Sequence, residues 1–435
     1  MEIKRSTDVA RPVEVAKRAP KWPWIVGLSI GGAVVLALGV VGYVMYSQRV
    51  QPPTPTINDA ANDQPAPEAG KVREVNPTPN PEDLTKIVFG LYDEALAQDQ
   101  IFTGPVTIYA LDLSSSRPKS NQITVLERAE ASTTVIGAAS PNGQFLALFE
   151  PAGSRKNDQE LNHVWLVDLV SGQAQEIAEN PSLVGQFVWS SDSKTLFWGE
   201  RDADATTLVA FYVASGETKR YARAIEQKKE LALIPQALRE GELFVVLQDL
   251  ESEDPGTLGV IKLGEDGNLE GEFEKLLDLS ANQRGLDISP DGRLIVMARG
   301  SSSDGPYLLE LMDRGNGDIE ELRRSPTEQY QSPLFTLDGE RIVYAAASGL
   351  WAYTLADSGD RVQLVANTEI DNLLTQADLK PWVMQPDGSR LVFVASNDEE
   401  SQILAIDLDA EEASSDDLTV VAEDTLAQSV FGWTK

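Results

Sequence analysis

The chain contains no cysteine, and that single absence removes several chemistries at once. No disulfide framework, zinc–cysteine centre, iron–sulfur cluster or thiol nucleophile can be built without it. Histidine is almost as scarce, with His163 the only one among 435 residues. A metal site of clustered imidazoles is therefore excluded. A Ser-His-Asp triad would have to use His163, which abuts a predicted strand at 164–169, and no G-x-S-x-G elbow occurs from residue 82 onward. There is no phosphate-binding loop of the Walker type and no dinucleotide fingerprint within a βαβ unit. The sequence accordingly assigns no catalytic residue, no cofactor-binding residue and no metal ligand.

Positive charge is the third shortage. Lys and Arg total 36 against 68 Asp and Glu, a formal net charge of −32. The imbalance sits in residues 82–435, which hold 61 acidic and 27 basic residues. Nucleic acid is excluded as a partner, because its phosphates require a basic face. The acidic segments Asp202-Ala203-Asp204, Glu251-Ser252-Glu253-Asp254, Asp398-Glu399-Glu400 and Glu411-Glu412 through Asp416-Asp417 do not follow the calcium-loop spacing and read as solvated loops. Glycoside hydrolysis needs two opposed carboxylates, and no pair stands out among so many acids.

One stretch lacks charge altogether. Trp24 to Tyr46 is 23 residues without a charged side chain. At about 1.5 Å of rise per residue, such a helix spans a hydrocarbon core of about 30 Å. Trp22 and Trp24 at one end, and Tyr43 and Tyr46 at the other, suit the two interfaces. The run is longer than the apolar region of a cleaved signal peptide, and no small-x-small site follows it. The preceding 23 residues carry six basic and three acidic residues. The expected topology is a single-pass signal-anchor in the bacterial inner (cytoplasmic) membrane, with the N-terminus cytoplasmic and the remainder extracytoplasmic. Residues 47–81 follow, with Pro52, Pro53, Pro55, Pro65, Pro67, Pro77, Pro79 and Pro81. Proline at that density forbids helix and favours an extended stalk.

From residue 82 the chain repeats. Ser289-Pro290-Asp291-Gly292 precedes the apolar run Leu294–Met297, and the same outline returns at Ser140-Pro141-Asn142-Gly143, Ser190-Ser191-Asp192-Ser193, Thr336-Leu337-Asp338-Gly339 and Gln385-Pro386-Asp387-Gly388. Arg239-Glu240-Gly241 is a weaker copy. This is turn chemistry: proline pre-sets φ, aspartate caps through its side chain, and glycine accepts positive φ. Each corner is followed by a β-branched and aromatic strand. A third strand often ends on an acid, as at Asp168 and Asp407, and a Ser-Gly or Asp-Gly turn leads to a polar fourth. The central residues of the six corners recur every 47 to 51 positions, the period of a four-stranded propeller blade.

The chain ends decide the blade count. Trp433-Thr434 matches Trp189-Ser190 at the end of a first strand, but no second strand follows it. Asp83–Phe89 matches Asp387–Phe393 as a second strand, 106–113 reads as a third and 122–128 as a fourth. Joining the two ends gives a seventh, shared blade closed by a C-terminal strand at 428–434, and leaves no open sheet edge. A six-bladed ring with a loose hairpin is the rival. The expected fold class is thus all-β, a seven-bladed β-propeller at 82–435 behind an N-terminal transmembrane helix. The tryptophans, including Trp165, Trp189, Trp198, Trp351, Trp382 and Trp433, read as blade packing.

The corner Ser289-Pro290-Asp291-Gly292-Arg293 with its apolar strand and acid-ended third strands resembles the TolB-like, WD-type propeller repeat, over about residues 82–435. That repeat is found in TolB and in propeller domains of prolyl-oligopeptidase-type and tricorn-type proteases, whose catalytic triads lie in a separate α/β domain. The resemblance implies fold more than function, and it differs here in the anchor, the stalk and the seventh blade. The functional expectation is a non-catalytic, membrane-anchored disc that binds a protein partner in the envelope as a scaffold. The alternatives are a sensor for a peptide, glycan or small molecule, and an envelope hydrolase or lyase working through carboxylates.

Overall fold

The structure is a computed structural model. It describes Arg73, 75–77, 79–80 and the chain from Asp83 to Lys435, except 93–96, 99–100, 103–105, 115–119, 127–135, 151–161, 180–182, 202–205, 223–230, 250–255, 265–268, 281, 301–305, 357–359, 367–381, 397–400, 409–417 and 426. The predicted span Trp24–Tyr46 lies outside the described residues. Among the described residues, no helix is long and apolar enough to cross a membrane.

Seven four-stranded antiparallel sheets make up the fold. Six are contiguous in sequence and are numbered here as blades 1 to 6: residues 136–179, 183–222, 231–278, 283–325, 330–366 and 382–425. In each, strands follow in sequence order from the innermost to the outermost. The seventh is composite. The C-terminal strand Ala427–Thr434 is its first strand and pairs with Lys86–Tyr92, which in turn pairs with Val106–Asp112 and then Ser120–Leu126. Lys86 faces Thr434 and Ile87 faces Trp433 in the register. The rival count of six blades is thereby set aside. Sequence reading missed a short hairpin, Ala97–Gln98 with Ile101–Phe102, inside the long connection of blade 7.

The repeated corner builds one hydrogen-bond device several times. Ser289 Oγ donates to Asp291 Oδ1 at 2.6 Å and accepts from the Leu294 amide at 2.8 Å. Asp291 also accepts from the Arg293 amide at 3.0 Å. Ser140 with Asn142, Ser190 with Asp192 and Thr336 with Asp338 repeat this geometry. Each hydroxyl thus closes the turn and starts the next strand, so the buried amide is satisfied without water. Gly292 sits at φ 69° and Gly339 at φ 73°, as the turn requires, and Ser193 adopts φ 60° in the copy that lacks glycine.

Blades stack through apolar faces, and each seam is a separate core. Leu196, Trp198, Val209 and Phe211 of blade 2 meet Phe145, Ala147 and Leu166 of blade 1. Strand alternation produces this: successive residues point to opposite faces of a blade, so each blade feeds two seams. Side chains staple neighbours at the corner face. Arg341 Nη1 donates to Leu408 O at 2.6 Å, and Arg390 Nη1 to Leu113 O at 3.0 Å. The last residues of the predicted stalk also dock there. The Arg73 amide bonds Ala214 O, the Asn76 amide bonds Gln144 Oε1 at 2.9 Å, and Val75 packs on the blade 1–2 core. The first-to-second and third-to-fourth strand turns share this corner face, and the remaining connections lie on the opposite face.

Candidate functional site

The seam between blades 4 and 5 differs from the others in its polarity. Its core is built from Val296, Leu309, Leu322, Phe335 and Ile342, together with four tyrosines: Tyr307, Tyr330, Tyr344 and Tyr353. Arginines converge on these rings. The Arg323 guanidinium lies 5.2 Å from the Tyr353 ring centre, Arg284 lies 5.4 Å from Tyr307, and Arg361 lies 4.2 Å from Trp351. Such stacking holds a guanidinium in place without neutralising it. Three of the domain's few basic residues thus meet at one seam, where Glu328 and the buried Asp287 are also placed.

Several buried polar atoms in this region have no hydrogen-bond partner. They are the Tyr344 hydroxyl, Ser332 Oγ, Gln283 Oε1 and the Nε atom of Arg284. Tyr344 is 0% exposed and Ser332 is 8% exposed. Ser332 also adopts φ 46° in the irregular stretch of the strand Tyr330–Phe335, an uncommon conformation for a residue with a side chain. Buried polar groups without partners are rare in folded proteins, and each loses the solvation it had in water. Grouped along one seam, they offer hydrogen-bonding positions that a bound molecule could use.

The electrostatics point the same way. Burial pushes the Tyr330 hydroxyl up to about 12, with the Glu328 carboxylate adding to the shift. Burial also raises Tyr344, while the Arg361 guanidinium beside it offsets part of the effect without completing a well-formed hydrogen bond. Both tyrosines are therefore protonated donors at neutral pH. Two of the arginines, Arg323 and Arg361, supply the accompanying positive field. Donors and cations together are what an anionic oxygen needs.

The outer end of the seam is closed by a clamp. Trp351 Nε1 donates to Ser348 Oγ at 3.0 Å, Ser348 Oγ donates to Glu328 Oε1, and Glu328 Oε2 lies 3.8 Å from Arg361 Nη1. The Glu328 amide donates to Ser325 Oγ at 2.8 Å, which fixes the loop that presents the carboxylate. Ser348 lies in the second-to-third turn of blade 5, and Glu328 in the connection from blade 4 to blade 5. Both belong to the face opposite the corners.

The features singled out in the sequence lie elsewhere. His163 Nδ1 is 2.7 Å from Glu176 Oε1, at the edge of blade 1. The acidic segments beginning at Asp202, Glu251, Asp398 and Glu411 lie outside the described residues. Among the described residues, no group of three or more His, Asp and Glu is placed to hold a metal ion. Trp189, Trp198, Trp382 and Trp433 are buried as packing residues, whereas Trp165 and Trp351 are only partly covered. The signal for the seam was present but unused. The fourth residue of the second strands reads Phe89, Leu148, Trp198, Val245, Met297, Tyr344 and Phe393, and only Tyr344 brings a hydroxyl to that apolar position.

No family model matches the chain, and no curated protein matches it in sequence. Solved structures do. The periplasmic gluconolactonase PpgL of Pseudomonas aeruginosa is similar with a TM-score of 0.51 at 13% identity, over 81% of this chain and 99% of that one. A putative 6-phosphogluconolactonase of Bacteroides fragilis reaches 0.50 at 12% identity, over 82% of this chain and 99% of that one. TolB of Acinetobacter baumannii is also similar, with a TM-score of 0.44 at 13% identity, over 81% of this chain and 67% of that one. At these identities the likeness concerns the fold. It nonetheless corrects the expectation of a non-catalytic scaffold and of a chain that is not an enzyme. That expectation rested on the absence of a triad and of a separate catalytic domain. Proteins of the same fold, matched over nearly their full length, bear enzyme names, so the lack of a separate catalytic domain does not make a propeller non-catalytic.

Proposed function

We propose that the chain is a propeller enzyme acting on a small anionic substrate held at the seam between blades 4 and 5. The observation that carries this reading is the fully buried, unpartnered Tyr344 hydroxyl beside the Arg361 guanidinium, in a region where Ser332 and Arg284 also have unsatisfied atoms. A substrate carboxylate or phosphate would pair with the arginines, and its reacting oxygen would accept from a tyrosine that stays protonated at neutral pH. Donors of this kind stabilise an oxyanion developing at a carbonyl, so ester or lactone hydrolysis is the favoured reaction class. In the same proposal, Trp24–Tyr46 anchors the enzyme in the cytoplasmic membrane with the propeller outside the cytoplasm.

The similar structures suggest which substrates to test first. Aldonolactones bearing a phosphate or a carboxylate group, and their uncharged counterparts, would be incubated with the full-length chain in mild detergent, and with Arg361→Ala and Tyr344→Phe. Turnover of an anionic member that falls at least tenfold in both variants supports the reading. Turnover that both variants retain would place the chemistry elsewhere. Failure of every anionic compound to bind or react would remove the seam as an active site.

A further inference from the structure

Two acids reach this seam: Asp287, buried, accepts from the Phe335 amide at 2.9 Å, and Glu328 faces the Arg361 guanidinium. The Glu328 carboxylate presents one oxygen to the Ser348 hydroxyl and the other to the Arg361 guanidinium. The Ser348 hydroxyl can donate because its oxygen already accepts from Trp351 Nε1. Arg361 in turn lies over the Trp351 ring, so indole, hydroxyl, carboxylate and guanidinium form a closed circuit. The circuit is exposed enough to open, with the Glu328 side chain 22% and the Arg361 side chain 37% accessible. The Arg361 pairing distance of 3.8 Å is longer than the 2.7–2.9 Å of a strong charge-assisted bond. Behind it, the Tyr344 hydroxyl has no acceptor.

We propose that Glu328 is an internal stand-in for the carboxylate of the substrate, and that it sets specificity by making incoming ligands displace it from Ser348 and Arg361. This rests on the reading of the seam as an anion site and adds the class of the ligand. Two oxygens in one plane, one meeting a hydroxyl and the other a guanidinium, describe a carboxylate rather than a tetrahedral phosphate. Displacement also frees Glu328, which hangs on a loop held by Ser325, to swing outward without rearranging a strand. An internal competitor lowers apparent affinity by the fraction of time the site is free, so removing it tightens ligand binding.

The full-length chain in mild detergent would be titrated calorimetrically with sodium D-glucuronate, inorganic phosphate and methyl glucoside. The variants are Glu328→Gln, Glu328→Ala and Arg361→Ala, each first compared with the parent in thermal melting. The expected result is glucuronate binding that tightens about tenfold in both Glu328 variants, as for a competitor occupying the site nine-tenths of the time, and is lost in Arg361→Ala. Unchanged or weaker glucuronate binding in both Glu328 variants overturns the stand-in role and leaves the anion site intact. Phosphate binding that matches or exceeds glucuronate overturns the assignment of the class. Glucuronate binding that Arg361→Ala retains, or no binding of either anion by any form, overturns both this proposal and the reading on which it rests.

Discussion

Removing the C-terminal strand should unfold the entire propeller rather than fray one edge. Phe431 and Trp433 are 5% and 3% exposed, and they belong to different cores. Phe431 packs with Leu146, Leu148 and Val167 of blade 1, and Trp433 with Val392, Val394 and Ile403 of blade 6. Thr434 Oγ1 donates to Gly143 O, tying the same strand to the corner of blade 1. A buried Phe or Trp replaced by Ala costs about 3–5 kcal/mol. The two sites have separate packing partners, so their effects should be close to additive, at about 6–10 kcal/mol together. A domain of this kind has about 5–15 kcal/mol in total. Deleting 427–435 also removes the ladder to Lys86–Tyr92 and exposes that strand as an open edge.

The assay is urea unfolding of the full-length chain in mild detergent, followed by far-UV circular dichroism because Trp433→Ala removes a fluorophore. Phe431→Ala and Trp433→Ala should each lower the midpoint. The double variant should be barely folded, and the chain lacking 427–435 should show no cooperative transition. A truncated chain that unfolds with the parent midpoint and slope would refute closure of the ring by this strand.

Four further outcomes follow from the same contacts. Tyr344→Phe should leave stability unchanged or raise it by up to about 1 kcal/mol, because it deletes a buried hydroxyl that has no partner; the same variant should bind D-glucuronate more weakly, and a drop in stability would mean that the hydroxyl is satisfied. Ser289→Ala should destabilise by about 1–3 kcal/mol, since it leaves the Leu294 amide unpaired, as read by urea midpoint. Gly143→Ala should destabilise more than Gly241→Ala, because a Cβ at Gly143 would lie 2.5 Å from Leu84 Cδ2 whereas nothing stands within 4 Å at Gly241, and both have positive φ. The hydrogen bond from the Ser289 hydroxyl, then that from the Arg293 amide, holds Asp291 below the usual carboxylate range. Its stabilisation is therefore fully present above the unfolded-state value near 4 and is lost as pH falls from there through the lower folded-state value. Asp291→Asn should flatten that part of the melting profile between pH 5 and 2.

What could be read from the sequence was whatever the repeat states seven times. The corners at Asn142, Asp192, Asp291, Asp338 and Asp387 announce turns because Ser, Asp and Gly have few other uses in that order. The closing strand was legible because Trp433-Thr434 repeats the end of a first strand, as at Trp189-Ser190. The strands themselves follow from β-branched and aromatic runs. The strap from Arg73 to Asn80 was not legible as a docked segment, because proline and asparagine mark extended chain but not the surface it meets. Blade 3 was faint for a related reason: its corner is two residues, Glu240 and Gly241 at φ 46° and 79°, and lacks the serine hub of the others.

The candidate site was hidden by the same repetition that revealed the fold. A repeat argument aligns positions and discounts differences, whereas a site on a symmetric disc must consist of differences. Tyr344 looked like one more aromatic at a position held by Leu148, Trp198, Met297 and Phe393. Trp198 shows why the substitution matters. It too brings a polar atom into a seam, but its Nε1 donates to Glu200 at 2.9 Å, and Arg220 neutralises that acid. The chain therefore has a working solution for a buried donor in blade 2 and does not repeat it in blade 5. Arg323 likewise departs from the repeat on the outer strand, where the equivalent fifth residues include Ala178, Tyr221 and Val365. Installing both halves of the blade 2 solution in blade 5 tests whether the departure is functional. Tyr344→Trp with Ala346→Glu would reproduce Trp198 and Glu200 at the matching positions. If the seam is merely imperfect packing, this variant should hold or gain stability and lose nothing else. If it is a binding site, the variant should fold yet fail to bind D-glucuronate, because the Tyr344 hydroxyl is gone.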